Sequence, residues 1–251
     1  MSAALKKIEI ESSIAARFGD AFKVHEKTSG ETLSTGVEEV DLLTGGLPRG
    51  ALSEISGSSS SGRTSLVLSM LASTTTKAEV CALIDVHDVF SPTVAVNAGV
   101  DPDRLLWVRC NANLEQAFKA TDLLLHAGGF GLVVLDMGDV PAKEARRIIS
   151  SWWYRFRRTI ENRPTALVVI TETSCTNSCA SLSLKLEGSS EWSDSGIHDS
   201  NVLPLSRSVP TPRVLSHANL LQLNSIKIVQ TRPLWLGANK STFSVGSLLC
   251  E

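Results

Sequence analysis

The run Gly57-Ser58-Ser59-Ser60-Ser61-Gly62-Arg63-Thr64, with Ser65 behind it, has the residue types that hold a phosphate. It satisfies G-x-x-x-x-G-K-[ST] at every defined position except the lysine, where Arg63 stands. The glycines let the backbone curl round an anion with its N–H groups inward, and a helix opening at the end of the loop adds a positive terminus. Thr64 would offer a hydroxyl to Mg2+. Asp136, at the end of the apolar run Leu132-Val133-Val134-Leu135, would hold the same ion through water. Arg63 keeps the charge that a lysine brings to the β- and γ-phosphates, but on a longer, planar head, and the two are not interchangeable at a tight site. The alternative reading is a Ser-rich turn before a helix, with no ligand.

Such a loop works only between a strand and a helix, and the surrounding pattern supplies both. Residues 51–55 form a short apolar strand, 57–62 the loop and 64–73 a helix. Apolar runs at 80–84, 105–108, 132–135 and 166–170 read as strands of a buried parallel sheet. Between them, 114–127 is an amphipathic helix and 142–161 one long helix. This alternation predicts an α/β fold with a parallel sheet flanked by helices. Residues 182–186 alternate like a half-exposed strand, 188–217 read as a mobile insertion rich in Ser, Pro and Asp, and 220–229 and 234–245 as antiparallel strands closing the sheet. A helix at 4–18 and a polar linker precede the core, which divides the chain into 1–32 and 33–251.

Composition narrows the function classes. The chain has 251 residues, 43% hydrophobic and 20% charged, which suits one globular core. The net charge of −2 leaves any nucleic-acid surface to a local patch. The helix at 142–161 offers one, with Lys143, Arg146, Arg147, Arg155, Arg157 and Arg158 against Glu144 and Glu161. The plainer reading is a core-packed helix with a solvated basic face; the sharper one is a surface for single-stranded DNA or an acidic partner. Trp152 and Trp153 cannot both face the core, so one is a candidate anchor for a partner. No run of about 18 apolar residues predicts a membrane span. Residues 1–7 lack an apolar segment for a signal peptide, and a cytoplasmic location is expected. The five cysteines read as reduced thiols, and Cys175 and Cys179 lack further ligands for zinc.

Over residues 33–245 the chain resembles the bacterial RecA recombinase family. The matching stretches are Leu33-Ser34-Thr35-Gly36, Asp41 through Gly45-Gly46-Leu47-Pro48-Arg49-Gly50, the phosphate loop, Ile84-Asp85, Pro92, Gly99-Val100-Asp101 and Leu105-Leu106. The resemblance implies a RecA-like P-loop core that binds ATP with Mg2+, and a segment at 4–18 like that by which RecA protomers dock on neighbours. Several departures weaken the implied chemistry. The catalytic glutamate of the family falls on His87, with Asp88 beside it; histidine can act as a base, but the carboxylate is displaced by one residue. The adenine-stacking tyrosine falls on Val94 and the γ-phosphate sensor on Glu172. Of two lysines offered to a neighbour's nucleotide, one falls on Gln230 and the other is Arg232. Only residues 137–141 and 171–180 stand where the family has its two DNA-binding loops.

This set of losses resembles the ImuA branch, whose members accompany a Y-family-like polymerase relative and an error-prone replicative polymerase in damage-induced mutagenesis. The resemblance implies an accessory protein of translesion synthesis that scaffolds polymerases or RecA, or associates with itself, with nucleotide binding weak or lost at a degenerate ATPase site. Two alternatives stay open: a DNA-dependent ATPase using Arg63 with His87 or Asp88, and a regulatory P-loop protein of the RecA/KaiC type without a DNA role.

Overall fold

The apolar runs pair side by side in one sheet. The computed structural model describes residues 12–14, 16–17, 30–192, 221–232 and 240–245. A small antiparallel pair, β1 (Thr32–Leu33) and β2 (Leu47–Pro48), brackets helix α1 (Glu38–Thr44). The main chain then runs β3 (Leu52–Gly57), α2 (Arg63–Thr76), β4 (Val80–Asp85), α3 (Pro92–Asn97), β5 (Leu105–Arg109), α4 (Leu114–Ala127) and β6 (Phe130–Met137). It continues through α5 (Ala142–Ala145), α6 (Ser150–Ile160), β7 (Ala166–Thr171), β8 (Leu182–Trp192), β9 (Leu221–Arg232) and β10 (Lys240–Val245).

The eight-stranded sheet has the order β10-β9-β8-β3-β7-β6-β4-β5. Every neighbour from β8 to β5 is parallel, and β9 and β10 add on antiparallel. The fold is therefore α/β, a mostly parallel sheet between helices, as predicted. Successive side chains along a strand point to opposite faces, and both faces are covered. Leu132 and Val134 of β6 join Leu66, Met70 and Leu71 of α2 on one side. Val133, Leu135 and Met137 join Phe118 of α4 and Trp153, Phe156 and Ile160 of α6 on the other.

Several elements differ from expectation. The helix predicted over 142–161 breaks after Ala145, with Ile149 extended at φ −68° and ψ 125°. Ile148-Ile149 is a β-branched pair of low helix propensity, and Ser150-Ser151 favours a helix start. Strand β8 runs on to Trp192, so the start of the insertion moves past 188; residues 193–220 lie outside the described residues, as does Trp235. Helices α1 and α3 were not predicted, being six or seven residues long with too few turns to show periodicity. Of the segment at 4–18, residues 12–14 and 16–17 are described and helical. Ile14 is buried in the cluster beneath β4 and β6, and Arg17 Nη2 donates to Leu105 O of the edge strand β5 at 3.4 Å. This piece lies on the chain's own core.

Candidate nucleotide site

Register brings the chemistry to one edge. Asp85 of β4 pairs with Asp136 of β6, Met137 with Thr171 of β7, and Thr171 with Ser56 of β3. The carboxyl ends of four parallel strands thus line up, which is where open α/β sheets take their ligands. Gly57 ends β3 at this edge and α2 begins at Arg63. Ser60 has φ 60° and Gly62 φ 90°, and the turn is closed by Ser61 N–H on Ser58 O at 3.2 Å. The first helical bond is Leu66 N–H to Gly62 O at 3.0 Å, and no described backbone group accepts from the N–H groups of Gly62, Arg63 or Thr64. Ser58, Ser59, Ser60, Thr64 and Ser65 are exposed, whereas Ser61 is buried with its hydroxyl unpaired. The loop is braced from β8 and β9. A Cβ on Gly62 would come within 2.2 Å of Ile226 Cδ1, and one on Gly188 within 2.4 Å of Ser60 O. Gly62 is thus required both by its left-handed backbone and by its neighbour.

Arg63 does not extend into open solvent. It is 9% exposed, and its Nη1 donates to Gly138 O, just beyond β6, at 2.9 Å. Asp136 Oδ1 accepts from Gly138 N–H at 2.9 Å. Arg63 Nη1 and Asp136 Oδ1 lie 3.0 and 3.1 Å from the point where a Cβ on Gly138 would sit. A glycine at 138 leaves room for both the guanidinium and the carboxylate against its Cα, with no ion pair between them. Burial raises the Asp136 carboxyl above its ordinary range, the Gly138 N–H lowers it, the Asp85 charge raises it and Arg63 lowers it again. The loop's free N–H groups fit a phosphate chain. A divalent cation fits less well: Thr64 and Asp136 stand where the pattern predicts, but a positive guanidinium bonded to Gly138 O already stands near Asp136 and would repel it.

The other predicted positions are spread around the edge. Asp85 is buried and serves its own loop, accepting from Val89 N–H at 3.2 Å, Phe90 N–H at 2.9 Å and Trp107 Nε1 at 3.3 Å. Asp88, at φ 60°, takes Arg109 Nη2 at 3.2 Å, and Arg109 also stacks over Trp107. His87 is half-buried beside them. Val94 is 52% exposed on α3, and Glu172 is exposed just after β7. Gln230 is 2% exposed in β9, so it cannot reach another protomer, while Arg232 at the strand's end stays partly exposed. Among the described residues no cluster of His, Cys, Asp and Glu could hold a metal ion. Cys175 and Cys179 are both buried free thiols.

Glu54 escaped the sequence reading. It is 1% exposed, three residues before the loop, and its carboxylate accepts from Ser174 Oγ at 2.6 Å, Cys175 N–H at 2.7 Å and Thr176 N–H at 3.0 Å. It ties the phosphate-loop strand to the segment carrying Glu172. The available signal was a lone acid inside the apolar strand Leu52-Ser53-Glu54-Ile55, since a buried charge demands partners.

A strand, a glycine-bounded loop and a helix on a parallel sheet, with an aspartate ending a neighbouring strand, define a P-loop protein. Residues 1–147 match the RecA N-terminal domain family, and the chain belongs to it. Protein RecA of Wigglesworthia glossinidia brevipalpis is 33% identical over 158 residues, 57% of this chain and 47% of that protein. Protein RecA of Aquifex pyrophilus is 29% identical over 193 residues, 68% and 55% of the two chains. Protein RecA of Methylobacterium radiotolerans is 38% identical over 140 residues, 54% and 38%. The chain spans about half the length of the curated relatives it matches. Among the described residues no helix is long and apolar enough to cross a membrane.

Proposed function

We propose that this chain is an accessory protein of the bacterial DNA-damage response, of the ImuA kind, scaffolding Y-family-like and error-prone replicative polymerases, or RecA, in translesion synthesis in the cytoplasm. One observation carries the reading: groups at the nucleotide edge are bonded to the protein itself. Arg63 binds Gly138 O, Asp88 binds Arg109, and Gln230 lies in the core. A scaffold needs the RecA-like surface but no turnover. The α5–α6 face suits single-stranded DNA. Lys143, Arg146, Arg147, Arg157 and Arg158 are exposed there, with Ile149 and Tyr154 at 68% and 54%, while Arg155 is committed to Asp122 at 2.6 Å. Trp152, the candidate anchor, is half-buried against Phe118 and Phe156, so Tyr154 and Ile149 take that part.

The second reading is a DNA-dependent ATPase that binds ATP and Mg2+. The unbonded N–H groups of Gly62, Arg63 and Thr64 favour it. Two assays on the purified full chain separate them. The scaffold reading expects no single-stranded-DNA-stimulated ATP hydrolysis, and recovery of polymerase components from damaged cells. Hydrolysis at a rate typical of DNA-stimulated RecA overturns it. Binding through Lys and Arg must also weaken steeply with salt; a salt-independent interaction removes the α5–α6 face from the proposal.

A further inference from the structure

We infer that the phosphate loop takes a nucleoside triphosphate without a divalent cation, because the Arg63 guanidinium is the resident cation between the loop and Asp136. The argument begins with geometry. Arg63 is the first residue of α2, so its backbone N–H belongs to the cradle while its side chain crosses to the end of β6. That head sits beside Asp136 Oδ1, across the bare Cα of Gly138. In the P-loop pattern the aspartate and Thr64 share a metal ion between them. Here a positive group already stands near the aspartate, held by its hydrogen bond to Gly138 O, and its charge favours the carboxylate without a direct ion pair.

The same head keeps donors for a phosphate. A guanidinium carries five N–H donors, and Gly138 O takes one end of it. Its other nitrogens have no hydrogen-bond partner among the described residues and so keep donors for an incoming anion. Guanidinium matches phosphate oxygens in a two-point fork, which a lysine cannot do. One planar cation can therefore face the phosphates on one edge while its other edge bonds Gly138 O near Asp136. Thr64 and Ser65, both exposed at the same helix start, remain free to donate to phosphate directly. The inference stands apart from the accessory reading: a scaffold survives either result, and an authentic Mg2+-dependent ATPase contradicts both.

The test titrates the full chain with a fluorescent ATP analogue, once in excess EDTA and once in excess Mg2+. The expected Kd agrees between the two buffers within about twofold. Arg63→Lys removes the fork but keeps the charge, and is expected to weaken binding in EDTA about tenfold and to regain it with Mg2+. Asp136→Asn gives an independent check that leaves Arg63 in place. With Asp136 serving as a counter-ion for Arg63, this variant binds in EDTA as well as the wild type or better. Circular dichroism confirms that each variant is folded. Wild-type binding that needs Mg2+ overturns the inference, and so does the absence of binding in both buffers. Loss of EDTA binding in folded Asp136→Asn overturns it as well.

Discussion

Replacing Glu54 by alanine tests whether the phosphate-loop strand and the segment after β7 form one unit. The carboxylate serves three donors, two of them the buried backbone N–H groups of Cys175 and Thr176. Alanine leaves both stranded, at about 1–3 kcal/mol each. With the lost Ser174 contact and side-chain volume, the expected cost is about 3–5 kcal/mol. Glutamine is a graded control. Its carbonyl can serve both N–H groups, and its amide can face Ser174 Oγ, which can turn to accept. Only the extra strength of charged bonds is lost, about 1–2 kcal/mol. Urea unfolding measures both variants, through the midpoint at constant slope. A second readout is local. Burial first, then the charge and hydrogen bond of Glu54, push the Cys175 thiol up to about 12. Alkylation of the native wild type at about pH 8 should therefore leave Cys175 unmodified, because the thiolate is the reactive form. Glu54→Ala should expose it, as read by peptide mass. A cost below about 1 kcal/mol, with Cys175 as inert as in the wild type, would refute the reasoning.

Trp153 is fully buried and Trp152 half-buried, so Trp153→Ala should cost about 3–5 kcal/mol and Trp152→Ala clearly less, with denaturant midpoints giving the order. Gly62→Ala meets both φ 90° and Ile226; it should lose about 1–3 kcal/mol, and Ile226→Ala in the same chain should recover the steric part in a double-mutant cycle. The exposed Glu187 carboxyl is held down at about 2 by hydrogen bonds from Lys227 and then Lys185. Its stabilising contribution is present above the unfolded value of about 4.3 and is lost as pH falls toward the folded one. Glu187→Gln should flatten that acid limb in melting curves, and high salt should erase the difference between the two proteins.

The parallel core was legible because its strands are buried on both faces. Runs such as Val80–Ile84 and Ala166–Ile170 carry no polar residue, and the structure moves their ends by a residue or so. The strand–loop–helix context of the P-loop was legible from its glycine-bounded serines set between a short strand and a helix. What stayed hidden depends on distance in sequence. Nothing near Arg63 says that its head meets Gly138, 75 residues on. The lone acid at 54 signals that partners are needed, but nothing near it says that they lie 120 residues away. The break between α5 and α6 was weakly legible in Ile148-Ile149, but the long basic and apolar stretch outweighed it. Strand β8 was cut short because Gly188-Ser189-Ser190 reads as loop; pairing with β9 carries it through to Trp192.

The positions where the RecA resemblance places catalytic or ligand-facing groups share a physical outcome. Three of the substituted side chains have a partner or a place inside their own protein. The Arg63 head bonds Gly138 O, Asp88 takes Arg109, and Gln230 sits in the sheet. The exposed ones, Val94 and Glu172, offer a nucleotide respectively no aromatic face and the wrong charge. The backbone cradle is different, because its shape depends on Gly62, the bracing by Ile226 and the helix start rather than on any catalytic side chain. Anion binding and catalysis can therefore separate in this fold. On the accessory reading proposed above, losing the side chains would remove turnover while the N–H groups of the loop still favour a phosphate. On that reading the P-loop would support ligand-dependent docking without hydrolysis, and the EDTA titration and the hydrolysis assay measure those two properties separately.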